Sequence, residues 1–283
     1  MTFGRRLLAF PLVRLVLAIA PIVGFLVAAN GLQLPVLAAA GFVPVLYVGY
    51  VRVVERRSVA ELAIAGAGSE LLRGFVIGTA LFAVTMAILC LAGVAAITRG
   101  DGWHAFAAGL GAAVAAALIE ETLMRAIFFR IVEESLGSVI ALLASAALFG
   151  FLHAFNPGAT LVSTVAIALE AGVILAAAYL YTRRLWMAIG LHAAWNFAEG
   201  GIFGASVSGG VAHGLFASHF SGRPILSGGA FGPEASVVAV VVCLIVGVAL
   251  LVRSRRLGHF RPPFWARSGR RTHTVRVGDQ ADV

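Results

Sequence analysis

Two adjacent carboxylates and an arginine stand in an otherwise apolar run, "AAALIEETLMRAIFF" at residues 115–129. Glu121 and Arg125 are four positions apart, so on a helix they share one face and can neutralise each other. Glu120 is turned about 100° away and is left for another partner. Further along, His153 ends "FGFLH", Glu170 sits inside "VAIALEAGVILAAA", and His192 and Asn196 bracket "HAAWN". Titratable groups within apolar spans are costly, and the default reading of each is a functional one with a named partner.

The turn between the segments carrying Glu120 and His153 is expected in "EESLGS", residues 133–138. If it is centred between Leu136 and Gly137, Glu120 and His153 are equidistant from it and reach the same depth. A desolvated carboxylate is a stronger base, and a positioned imidazole can share or relay the proton it takes, so this pair suits the activation of water. His192 and Asn196, at i and i+4, offer two donors to a developing oxyanion, a role whose loss costs about 10²- to 10³-fold in rate. Together these parts suit amide hydrolysis.

Long apolar elements must position these groups. Of 283 residues, 60% are hydrophobic and 12% charged, with a mean hydropathy of +0.98. That composition excludes a water-soluble globule and predicts a polytopic membrane protein. A helix needs about 20 apolar residues to cross the hydrocarbon layer. Eight stretches qualify or come close: 7–29, 34–51, 71–97, 103–132, 138–155, 160–181, 185–197 and 235–252. Their length and lack of alternation exclude a barrel. The expected fold is an all-α integral membrane protein, a bundle of about eight transmembrane helices around a buried polar site. The first two spans occupy residues 1–52, a core holding the site runs from 53 to 255, and a basic, disordered tail is expected over 256–283.

All 21 basic residues are arginine. With eight spans and the N-terminus inside, eleven of them (5, 6, 52, 56, 57, 130, 183, 184, 253, 255 and 256) flank the spans on the cytoplasmic side, against Arg99 and Arg223 outside. This asymmetry predicts a multi-pass cytoplasmic-membrane protein with both termini in the cytoplasm. Much of the net charge of +8 is thereby topological, and the basic tail is expected to meet anionic lipid headgroups rather than nucleic acid. The first apolar stretch, interrupted by Arg14 and followed by seven more, is expected to be retained rather than cleaved as a signal. Cys90 and Cys243 fall within apolar spans, where thiols pack as small hydrophobes.

Three patterns occur in order on successive spans: EExxxR in "EETLMR", FxxxH in "FGFLH" and HxxxN in "HAAWN". With "RRLWMAIGLHAAWNF" and "LSGGAFGPEAS", the chain from about residue 50 to 255 resembles the CPBP intramembrane proteases, which include type II CAAX prenyl endopeptidases and bacterial bacteriocin-processing and immunity proteins. The resemblance implies a glutamate-type endopeptidase in which Glu120 and His153 activate water and His192 and Asn196 stabilise the oxyanion. It further implies that Glu121 and Arg125 organise the site or meet the substrate. Phe149 is expected to shape the pocket by packing, and Glu170 to support the site from behind. Peptide or membrane-protein substrates, CAAX-like or bacteriocin-like, are the implied partners beside lipid.

Glu120 with two histidines would also make a three-ligand zinc site. However, zinc held by Glu120 would remove the base, and no HExxH is present, so the expectation is a reaction with no cofactor. Two other classes use the same residues. A transporter would employ the intramembrane Glu, His and Arg as a proton relay, and an immunity scaffold would not need Glu120 at all.

Overall fold

The computed structural model describes residues 10–267. Helix α1 (Pro11–Gly31) opens with proline at its first position, where no intrahelical N–H is required. It is followed by α2 (Val36–Tyr50), which widens into a π segment at Val51–Glu55, and by α3 (Ala67–Leu91). Helix α4 (Trp103–Glu121) continues through a π segment at Thr122–Phe129 into α5 (Arg130–His153).

The run from Trp103 to His153 spans 51 residues but is not one rod. Gly137 interrupts it at φ 82° and ψ 167°, a conformation open to glycine and unfavourable for a side chain. The chain folds back there, so that Arg125 and Phe149, equidistant from Gly137, lie against one another. The two limbs form the helical hairpin that "EESLGS" predicts.

After α6 (Leu161–Ile167), held by a Thr160/Ser163 capping box, a π segment at Ala168–Gly172 leads into α7 (Val173–Thr182). Helix α8 (Trp186–Asn196) continues through a further π segment, Phe197–Ile202. A short α9 (Pro224–Ser227) precedes α10 (Val237–Arg256), whose N-cap Ser236 accepts from the Ala239 N–H and whose last turn carries Arg253, Arg255 and Arg256 beside the free carbonyls. A final turn, α11 (Phe264–Arg267), completes the described chain.

Six helical stretches among the described residues are long and apolar enough to cross a membrane, the broken Trp103–His153 run being one of them. The outward faces expose Leu12, Val27, Leu143 and Ile245, an arrangement suited to hydrocarbon rather than water. The chain is therefore a helical integral membrane protein. The third expected span ends early: the helix stops at Leu91, and Ala95–Arg99 forms β1, antiparallel to β2 (Phe216–Phe220), with Ile97 opposite Ser218. Backbone pairing with a distant loop, which a hydropathy reading does not sense, turns the end of that apolar run into a strand.

Ion pairs tie together the helix ends opposite this strand pair. Glu55 meets Arg14 at 2.6 Å and Arg130 at 2.9 Å, and Glu134 bridges the same two arginines. Arg183 grips the buried Glu133 at 2.5 Å, and Arg184 pairs with Glu70. Burial works against the Arg183 guanidinium, yet its hydrogen bonds to Glu133 hold its pKa above the ordinary arginine value. Of the expected tail, residues 257–267 fold back over the Gly137 turn. Ser138 N–H donates to the Arg261 carbonyl at 3.0 Å, and Arg267 donates to the Glu134 carbonyl at 2.9 Å. Residues 268–283 lie outside the described part.

Helix α8 sits in the middle of the bundle and packs along α3. Gly74 and Gly78 make the contact possible. A Cβ on Gly74 would lie 2.2 Å from the Met187 carbonyl oxygen, and one on Gly78 would lie 2.3 Å from that of Leu191. Such a small-residue seam lets two backbones approach closely in a membrane. It also fixes the backbone on which His192 stands.

Candidate active site

The two limbs of the Gly137 hairpin present Glu120, Glu121, Arg125, Phe149 and His153 to α8, which carries His192 and Asn196. Glu121 and Arg125 are completely buried and paired at 3.1 Å. Two carbonyls, of Ala171 and Gly172, lie at the limit of the same guanidinium's reach, at 3.4 and 3.5 Å. The Arg125 guanidinium also stacks 4.8 Å from the centroid of Phe149. The other Glu121 contact is with His192, whose Nδ1 lies 2.9 Å from the same carboxylate oxygen. Because a carboxylate only accepts, Nδ1 is the protonated ring nitrogen, and Nε2 is the atom turned to the cavity side.

Glu120 is placed differently. Its side chain is one-third exposed, its Oε2 stands 3.8 Å from His192 Nε2, and that oxygen has no hydrogen-bond partner. His153 is tied to its own helix, with Nδ1 2.8 Å from the Phe149 carbonyl. A carbonyl likewise only accepts, so Nδ1 carries a proton, and Nε2 is the ring nitrogen left for another partner. The Phe149 ring stands between the two histidines, 4.6 Å from His153 and 6.2 Å from His192, centroid to centroid. It acts as the spacer that holds both imidazoles and the guanidinium apart.

Glu120, Phe149, His153, Glu170, His192 and Asn196 all line one cavity of about 190 Å³. Next to it a second, more apolar cavity of about 230 Å³, walled by Leu123, Met124 and Leu152, reaches the same Glu120 and His153. Helices alone do not close the main cavity. Val207, Ser208 and Glu234, from the segment between α8 and α10, complete its wall. Glu234 is anchored there by the Ser208 N–H and hydroxyl, both 2.8 Å from its Oε1. Burial pushes the Glu234 carboxyl above the ordinary range, against the opposing effect of those bonds.

The structure thus gathers every residue the sequence singled out. Glu121 and Arg125 stay behind the cavity wall, while the others line it. Sequence reasoning missed Glu199 and Glu234. Glu199 is wholly buried beside Glu234, with neither carboxylate oxygen hydrogen-bonded. Its place in "NFAEGG", one turn beyond Asn196, was the available signal. Glu234, in a glycine-rich loop of "AFGPEAS", gave none that separates it from a solvated residue. Glu170 reaches the cavity wall and accepts from the Cys243 thiol at 3.3 Å. Cys90 and Cys243 are free. Among the described residues, no group of three or more His, Cys, Asp or Glu side chains is gathered in a way that would hold a metal ion.

Residues 101–198 match the family model described as type II CAAX prenyl endopeptidase Rce1-like. The matched stretch runs from the start of α4 through Asn196 and so contains all three motifs. No curated protein and no solved structure matches the chain. Residues 101–198 are thus similar to the domain of this protease family, within an integral membrane protein.

Proposed function

We propose, on the basis of the Rce1-like domain and the cavity it builds, that the chain is an intramembrane glutamate-type endopeptidase. Glu120 is the general base. Its unpartnered Oε2 takes a proton from water while Nε2 of His153 orients that water or relays the proton. The hydroxide attacks the scissile carbonyl. His192 Nε2 and the Asn196 amide donate to the oxyanion that forms. With Nδ1 already donating to Glu121, an Nε2 that also donates belongs to the doubly protonated ring, and the Glu121 carboxylate balances its charge. Arg125 in turn holds Glu121 in place through their 3.1 Å pair. When the intermediate collapses, the proton held by Glu120 passes to the leaving amine. None of these steps calls for a cofactor.

The substrates are membrane-associated peptides or membrane proteins, CAAX-like or bacteriocin-like, which reach Glu120 and His153 through the adjoining apolar cavity. The arginine asymmetry supports an orientation with the Gly137 turn and both termini on the cytoplasmic side of the cytoplasmic membrane.

One observation carries this reading: Glu120, His153, His192 and Asn196 line a single cavity in which Glu120 keeps a free oxygen. The test compares protein N-termini in membrane fractions from cells bearing wild type or Glu120→Gln at equal abundance. Termini that vanish in the variant are expected. Identical profiles under several growth conditions would refute the proteolytic reading.

A further inference from the structure

The cavity wall carries two sets of groups of different chemistry. One is Glu120 with the two histidines. The other is acidic, with Glu170 from the π segment after α6 and Glu234 from the loop before α10 in the wall, and Glu199 behind Glu234. Among the described residues no arginine pairs with Glu170, Glu199 or Glu234, and Arg125, the guanidinium on the other side of the site, is committed to Glu121 and the Phe149 ring. Glu170 is 3% exposed and lines the cavity, yet its Oε2 has no partner. A buried acceptor left open toward a cavity is a group prepared for a donor that arrives from outside.

A second observation, independent of the carboxyls, also points to a bound substrate. Trp195 lines the cavity at 4% exposure, and its indole N–H is without a partner, a donor left for an acceptor such as a substrate backbone carbonyl. The same wall includes the aliphatic side chains of Ile174, Leu175 and Leu191. A partly apolar wall with an unpartnered carboxyl oxygen matches a side chain with an aliphatic stem and a charged tip.

We propose that the acidic set is a substrate-specificity subsite, in which Glu170 and Glu234 receive the ammonium or guanidinium of a lysine or arginine next to the scissile bond. This inference rests on the proteolytic reading of the same cavity and adds the chemical class of the residue that the cavity selects. Glu199 acts through Glu234, as a positioning residue packed behind it. A cation brought in by the substrate supplies the donor that Glu170 lacks and favours the ionised carboxylates, whereas a neutral residue at that position leaves the acceptor open.

The test first collects the Glu120-dependent termini and aligns their cleavage sites. A lysine or arginine at one fixed position within three residues of the cut is expected. Synthetic peptides spanning those sites are then cleaved by the purified full-length protein, with the basic residue kept, replaced by norleucine, or replaced by glutamate. Norleucine is expected to lower kcat/KM by at least about thirtyfold, the low end for truncating one member of a buried charge pair. Glutamate should lower it further, and the variant E170Q/E234Q should lose the preference for lysine over norleucine. A free α-ammonium as the recognised group would give cuts confined to the first residues of the substrate, and would overturn the side-chain assignment. Glu120-dependent cuts with no fixed basic position, or equal cleavage of the lysine and norleucine peptides by wild type, overturn this inference and leave proteolysis standing. Absence of any Glu120-dependent terminus overturns both. The substrate arm uses only the wild-type protein, so the inference stands or falls on it even if the double variant fails to fold.

Discussion

Replacing Arg125 with methionine removes a charge while nearly keeping the volume, at a position where the structure sets the size of the effect. Arg125 and Glu121 are both fully buried. Without the guanidinium, the Glu121 carboxylate keeps only the His192 N–H at 2.9 Å. Removing one member of a buried pair costs about 3–5 kcal/mol, because the remaining charge is stranded. The stacking on Phe149 adds about 1 kcal/mol to the loss. At about 2–4 °C per kcal/mol for a chain of this size class, the summed loss should make the variant melt roughly 8–24 °C below wild type. The double variant E121Q/R125M removes both charges and still gives His192 an amide oxygen, so it should recover most of that loss. The assay is thermal unfolding of the detergent-solubilised proteins, followed by size-exclusion recovery after heating. A drop under about 2 °C for R125M, or a double variant no more stable than the single, would show that charge stranding does not govern this part of the bundle.

Three further outcomes follow from other features. His192→Ala should lower kcat by about 10²- to 10³-fold with KM little changed, since an oxyanion donor acts in the transition state; steady-state kinetics on a peptide from the Glu120-dependent set would read the split, and a pure KM effect would make His192 a binding residue. Gly78→Ile would drive a side chain into the Leu191 carbonyl, so α8 must shift or the bundle open, with an expected loss of at least about 1–3 kcal/mol by thermal unfolding and of activity through displacement of His192. Ser138→Ala leaves the Arg261 N–H without its acceptor at 2.8 Å and deprives Glu133 of a hydroxyl donor at 2.5 Å; a loss of about 1–3 kcal/mol and faster proteolysis after Arg256 are expected, and unchanged protection of the strap would contradict its role.

Much of this architecture is legible in the sequence alone. Hydropathy locates the apolar helices, because a lipid-facing helix must be apolar along a length that the bilayer fixes. The hairpin and the meeting of its limbs follow from "EESLGS" and from counting outward from it. The failures share a cause: they depend on contacts between residues far apart in sequence. The end of the third apolar run becomes β1 because β2 lies more than a hundred residues away. Glu234 becomes part of the cavity because Ser208 captures it, and neither residue sits in an element long enough to show a periodic pattern. The expected polar tail folds back in its first part because the Gly137 turn offers an open N–H at Ser138, a backbone group that no hydropathy scale records.

The π segments mark where this chain can vary in length. Each holds one residue more than an α-helix would use to cover the same rise, and three of them adjoin the cavity residues: Thr122–Phe129 after Glu120 and Glu121, Ala168–Gly172 around Glu170, and Phe197–Ile202 after Asn196. Deleting that extra residue would let the helix relax to a regular α-turn with both flanks nearly in phase, whereas deleting a residue from an α-helical stretch would rotate everything beyond it by about 100°. In the second case every side chain would remain as apolar as before, and the helix would still cross the bilayer. Yet the face turned to the cavity would be a different one. Along these helices one apolar residue can replace another at little cost to the site, and the π segments are the places where the number of residues between the motif positions can change by one.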